Sequence, residues 1–222
     1  MIILLVAATH LEIAPTVEWL EKTSTKLDES TYQNGENIIR VLVTGIGGVA
    51  TAFSLGVVLT SFRPDLAINA GIAGALDRSL HLGAVVHVVN EQFADLGVEQ
   101  PDGRFSDLFS VGLMEVNHPP FINKHLKEHF SNYNQFLHKV HGISVNKVHG
   151  NEASIEQLRA NYPNAQVESM EGAAFFYACL LAEVSFIQVR AISNYVEKRN
   201  RDNWKIPEAV ANLNDVLRGM LA

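Results

Sequence analysis

The apolar and polar positions divide the chain into alternating strand-like and helix-like segments. MIILLVAA at the start is a short, continuous apolar run, the pattern of a strand buried on both faces. HLEIAPTVEWLEKT then places Ile13, Val17 and Leu20 at helical spacing and predicts the first helix. NIIRVLVTG predicts a second strand, and GIGGVATAFSLGVVLTSF a glycine turn opening into an apolar helix. PDLAINAGIAGAL predicts a buried strand ending at Gly71, and GAVVHVVNEQFAD another.

Residues 95–117 show no periodicity and are rich in Gly, Asp and Pro, which predicts a long functional loop. FINKHLKEHFSNY, after Pro120, predicts a surface helix carrying His125 and His129 toward solvent. KVHGISVNKVHG predicts a strand and ASIEQLRANY a short amphipathic helix. SMEGAAFFYACLLAE is apolar nearly all round, as a central helix must be. VSFIQVRAIS is the last strong strand, and IPEAVANLNDVLRGML closes with an amphipathic helix whose Pro207 suits a first turn. Strands alternating with helices predict a single α/β domain over 1–222, three-layered α/β/α with a mixed, largely parallel central sheet.

Composition narrows the function classes. Over 222 residues, 47% are hydrophobic, which argues against disorder. A formal charge of −7 without clustered Lys and Arg makes nucleic acid a poor partner. The single cysteine, Cys179, lies in an apolar run and reads as a buried thiol, with no Cys-rich metal site available. The start lacks a basic n-region and no apolar run reaches spanning length, so a cytoplasmic protein without membrane contact is expected.

In such a sheet, ligands bind outside the carboxyl ends of the strands. Ala7–Glu12, Thr44–Val49, Asn69–Gly74, Asn90–Asp95 and Ser193–Tyr195 reach that edge, with Met170–Glu171 at a helix start. TGIGGVA and NAGIAGA either offer backbone N–H groups to an anion, sugar or water, or are ordinary tight turns; neither has dinucleotide or P-loop spacing. Glu12 reads either as a first-turn glutamate facing solvent or as a working carboxylate. Glu171 heads a helix that should be buried, where a charge needs a partner or a ligand.

VAATHLE, TGIGGVATA, NAGIAGAL, VESMEGAA and VRAISN follow one another in the order found in the purine nucleoside phosphorylase/nucleosidase superfamily. The chain resembles its methylthioadenosine/S-adenosylhomocysteine nucleosidase branch and, through SNYVEKRNRDNW, more closely the futalosine hydrolases of an alternative menaquinone pathway. The resemblance implies that Glu12 activates the attacking water and that Glu171 binds ribose hydroxyls beside Met170. Gly71, Ala73, Gly74 and Ser193 would line the sugar and base cleft. Asn194 stands where adenine-specific nucleosidases carry an acid. It implies a nucleoside substrate, no cofactor, no metal and a homodimer or larger homo-oligomer.

Three departures bear on the reaction. Ser169 replaces the first glutamate of Glu-Met-Glu, and Glu168, displaced by one, does not inherit its role. Asn69 stands where hexameric phosphorylases carry an arginine, and no arginine follows the first strand. A phosphate dianion would lack its clamp, which favours water as nucleophile. An amide both donates and accepts, so Asn194 suits the O6 and N7 edge of a 6-oxopurine. Arg104, Arg199 and Arg201 are candidates for the aryl carboxylate of futalosine. An adenine nucleosidase, a 6-oxopurine phosphorylase and a non-catalytic nucleoside binder remain as alternatives.

Overall fold

Strand alternation builds the centre of the molecule. The structure, a computed structural model, describes residues 1–128 and 136–222. In β1 (Ile2–Ala7), Ile3 and Leu5 face one side, against α1 (His10–Thr23) and α5 (Ile206–Leu221). Leu4 and Val6 face the other, against α2 (Gly48–Leu59) and α4 (Gly172–Leu181). The period of two thus divides one strand between two cores, giving the expected three layers. On α5, Ala209, Leu213, Leu217 and Leu221 repeat every four residues and are fully buried.

The sheet is mixed and largely parallel, as expected. β1 lies between β4 (Asn37–Val43) and β5 (Leu66–Ala75), parallel to both. β12 (Phe186–Tyr195) runs parallel to β5 on its other side and antiparallel to β6 (Val85–Glu91). β10 (His138–Ser144) continues from β6 and carries β11 (Val167–Ser169), the two joined through the short helix α3 (Glu152–Asn161). β11 then pairs back onto β5, antiparallel, so β5, β12, β6, β10 and β11 close into a ring. Closure brings Glu168 opposite Gly74, and Asn194 pairs with the same glycine from the other side.

Four segments differ from the sequence reading. β5 continues past Gly71 to Ala75, because its GIAGA residues pair with both β12 and β11. Polar β2 (Thr25–Lys26) and β3 (Thr31–Asn34) extend the sheet edge; strands this short carry no legible period. The 95–117 segment contains a hairpin, β7 (Gly97–Glu99) with β8 (Phe105–Asp107). The helix expected after Pro120 is absent through residue 128: β9 (Leu126–Lys127) pairs with β6. His125 is half-buried rather than solvated, its Nδ1 3.0 Å from Asn90 Oδ1, and burial pushes its pKa down. His129 lies outside the described residues. Cys179 is buried, which pushes its thiol pKa up. Among the described residues no helix is long and apolar enough to cross a membrane.

One buried amide ties the first helix to the last. Pro15 interrupts α1. Just beyond it, Asn214 of α5 stands between the groups of one helical turn. Its Nδ2 donates to the Glu12 carbonyl at 2.8 Å, and its Oδ1 accepts from the Thr16 N–H at 3.0 Å and the Thr16 hydroxyl at 2.6 Å. The amide thereby satisfies both partners of a normal i to i−4 bond.

Candidate active site

A cavity of about 430 Å³ opens at the carboxyl ends of β1, β5 and β12, walled by the start of α4 and the approach to α5. Glu12 enters it from the first turn of α1. Its Oε2 accepts from the Thr9 N–H at 3.0 Å and the Thr9 hydroxyl at 2.9 Å, a capping box. Its Oε1 accepts from the Ile72 N–H at 3.1 Å. Three donors from two strand ends thus fix the carboxylate. Gly71 makes this possible, because a Cβ there would lie 2.9 Å from Glu12 Oε1 and 3.4 Å from Arg190 Nη1. Gly71 does not itself line the cavity; it gives room behind it.

Glu171 stands at the N-cap of α4 and faces the same cavity beside Met170. Its Oε1 accepts from the Gly47 N–H at 2.9 Å. Gly47 has φ +92, so the turn that presents this N–H needs glycine. The anion at the TGIGGVA turn is therefore the protein's own carboxylate.

Beneath the α4 start lies a second carboxylate system, sealed from solvent. Glu91 accepts from Gln188 Nε2 at 2.6 Å and from the Ser144 hydroxyl at 3.0 Å, and Ser144 Oγ accepts the Ala173 N–H at 2.7 Å. Burial pushes the Glu91 pKa up to about 7, against the pull of Gln188, Arg190 and Ser144. Gly172 is required here, since a Cβ would fall 1.9 Å from Glu91 Oε1. Asn69 joins this network, donating to Gln188 Oε1 at 3.0 Å, and so points into the core. Of the segments expected at the rim, Asn90–Asp95 turns away: Phe93 and Asp95 line a neighbouring 270 Å³ cleft between α2 and α4.

At the opposite wall, the Asn194 amide is engaged at both ends. Its Oδ1 accepts from Ser193 Oγ at 2.8 Å, and its Nδ2 donates to the Tyr195 carbonyl at 3.0 Å. One N–H and one lone pair remain for a ligand. An aspartate in this conformation would set a carboxylate oxygen against the Tyr195 carbonyl.

The cavity gathers Glu12, Ala73, Gly74, Met170, Glu171, Ser193 and Asn194. Arg199 joins them, its guanidinium 5.3 Å from the Trp204 ring. Arg104 and Arg201 do not. Arg104 sits exposed in the turn of the β7–β8 hairpin, paired with Asp102 at 2.7 Å, and Arg201, on an exposed 3-10 turn, has its guanidinium 5.8 Å from the Trp204 ring. Their positions in polar loops gave no signal separating them from Arg199. Two groups escaped the sequence reading. Arg190, fully buried, packs against Gly71 beside Glu12; its place in a strand hid it. His149 lines the cavity with Glu168, whose Oε2 lies 2.5 Å from Nδ1 and whose Oε1 accepts the His149 N–H at 3.0 Å.

The phosphorylase superfamily pattern matches residues 3–222. The chain belongs to the phosphorylase superfamily. Futalosine hydrolase of Acidothermus cellulolyticus is 33% identical over 177 residues, 78% of this chain and 71% of that protein. Futalosine hydrolase of Streptomyces coelicolor is 32% identical over 190 residues, 82% of this chain and 77% of that protein. The 5'-methylthioadenosine/S-adenosylhomocysteine nucleosidase of Colwellia psychrerythraea is 24% identical over 234 residues, covering 98% of this chain and 94% of its own. In fold, the chain superposes on Helicobacter pylori futalosine hydrolase with a TM-score of 0.80 at 16% identity, over 99% of this chain and 97% of that one. As a member of this superfamily with these relatives, the chain is an N-glycosyl hydrolase, a nucleosidase.

Proposed function

We propose that the chain, acting as one nucleosidase domain over residues 1–222, hydrolyses the N-glycosidic bond of futalosine and releases hypoxanthine, a step of menaquinone biosynthesis. The observation that carries this reading is the Asn194 amide. With Oδ1 on Ser193 and Nδ2 on Tyr195, it keeps one N–H for a 6-oxo group and one lone pair for a protonated ring nitrogen. In the pose that sets this N–H on the 6-position, a 6-amino base would meet a donor where it needs an acceptor. A mismatch of this kind at a buried contact is worth ~2 kcal/mol or more.

Bond cleavage builds positive charge at the anomeric carbon. Glu12 orients a water for attack there and accepts its proton, while Glu171 grips the ribose hydroxyls with Met170 against the sugar. Water serves as nucleophile because Asn69 is committed to Gln188 and offers no clamp for phosphate. Arg199, at the mouth near Trp204, is the cation for the substrate's aryl carboxylate.

We also infer a homo-oligomer. Val49, Phe53 and Val57 form an exposed apolar stripe along α2, with exposed Ile46 just before it, next to the cleft that adjoins Met170. A second copy on this stripe would wall the sugar end. Size-exclusion chromatography with light scattering should give at least a dimer, lost in Phe53→Glu; a monomeric wild type would refute it.

The deciding assay follows base release from futalosine, inosine and methylthioadenosine, with and without phosphate. Hypoxanthine from futalosine in phosphate-free buffer supports the proposal. Adenine from methylthioadenosine would assign the chain to the adenine enzymes, and strict phosphate dependence would make it a phosphorylase.

A further inference from the structure

A departing purine anion needs a proton, and Asn194 has none to give, since an amide does not ionise in this range. We infer that His149, held by Glu168, is the acid that protonates the leaving base. The inference rests on the nucleosidase site proposed above, with Asn194 at its base end.

Placement carries the argument. Glu168 and Asn194 pair with Gly74 from opposite sides, so the two side chains arise from one row across three strands. Neighbouring strands lie about 4.8 Å apart, which sets both at the same end of the cavity. Glu168 is 3% exposed and spends both oxygens on His149, one on Nδ1 and one on the backbone N–H. A carboxylate on Nδ1 fixes the ring and makes Nε2 the working nitrogen. Nε2 has no protein partner among the described residues, and the ring keeps 13% of its surface, on the cavity wall. The charged groups that line the cavity with the ring are Glu168 behind it, Arg199, whose backbone N–H donates to the Gly150 carbonyl at 3.1 Å, and Glu12 and Glu171.

The step balances. The C1'–N9 bond breaks with its electron pair going to the base, and the Nε2 proton passes to N7. Water bonds to C1' and gives its proton to Glu12; solvent then takes that proton and returns one to His149. His149 is thus a catalytic residue and Glu168 a positioning residue.

The test compares a purine nucleoside with its N7-methylated form, whose base leaves neutral without a proton. The parent is whichever of futalosine, inosine or methylthioadenosine the wild type hydrolyses. His149→Gln should lose on the order of 10²-fold in single-turnover rate on the parent. The loss on the methylated form should be at least tenfold smaller. Glu168→Gln should show the same split at lower amplitude. Equal losses on both substrates, or none, would overturn the assignment. On the wild type, the ¹⁵N resonance of His149 Nε2 should shift when the released base is added; an unmoved resonance overturns it even if the variants fail to fold. A wild type that releases only adenine would refute the futalosine reading and leave the His149 ratio to be judged on that substrate.

Discussion

The two ends of the cavity are built by opposite means. At the end proposed above for the sugar, the carboxyl groups of Glu12 and Glu171 accept from backbone N–H groups of Thr9, Ile72 and Gly47, which strand ends and a glycine turn present. At the end proposed for the base, Asn194 is neutral and held by a hydroxyl and a carbonyl, and His149 is held by Glu168. The difference matches the proposed reaction: the sugar gains positive charge and needs acceptors, while the base gains negative charge and needs donors. Main-chain donors cannot be mutated away, so the sugar end is set by the fold. The base end is set by side chains, and specificity can change there.

Removing the carboxylate should break this contrast most severely. Glu12→Gln should lower kcat by on the order of 10³-fold with little change in KM, read by steady-state base release. Displacing it without removing it comes next. In Gly71→Ala the new Cβ would press on Glu12 Oε1, so kcat should fall by roughly 10²-fold, with ~1–2 kcal/mol of stability lost in urea unfolding. At the other end, Asn194→Asp should shift the ratio of kcat/KM for 6-oxo against 6-amino nucleosides toward the amino base by about 30-fold. An unchanged ratio would remove Asn194 from base recognition.

The smallest effect concerns the sealed carboxylate below both ends. The folded pKa of Glu91, about 7, lies above its ordinary value of 4.5, so the folded state holds the proton more tightly. Its contribution to stability is full below pH 4.5 and is lost as pH rises toward 7, at up to about 1.4 kcal/mol per pH unit. Thermal melts from pH 5 to 8 should show this slope, and Glu91→Gln should flatten it.

What was legible in the sequence follows the same division. Long apolar runs such as IILLVA and IQVRAIS disclosed the central strands, since burial on both faces leaves little else possible. Glu12 stood out because it lies just past the first strand, and Glu171 because it heads a helix that should be buried. The ring closure through β11 was not legible: three residues, VES, carry no period, and without that closure Glu168 has no visible neighbour at the site. His149 was hidden for the same reason: the sequence reading placed it in the strand KVHGISVNKVHG, but the strand ends at Ser144 and the loop beyond brings His149 to Glu168. Arg199 could not be told from Arg104 and Arg201, because the packing on Trp204 and the bond to Gly150 depend on chain folding beyond local pattern.

Asn214 has a consequence for when the enzyme becomes active during its synthesis. The carbonyl of Glu12 is translated early and finds its amide partner 202 residues later. Until α5 leaves the ribosome, the helix carrying Glu12 keeps an open turn next to Pro15. Before α5 docks, the turn around Pro15 lacks the amide that closes it and the cavity lacks the wall that Ile206 and Val210 supply, so the pocket is completed only with the final helix.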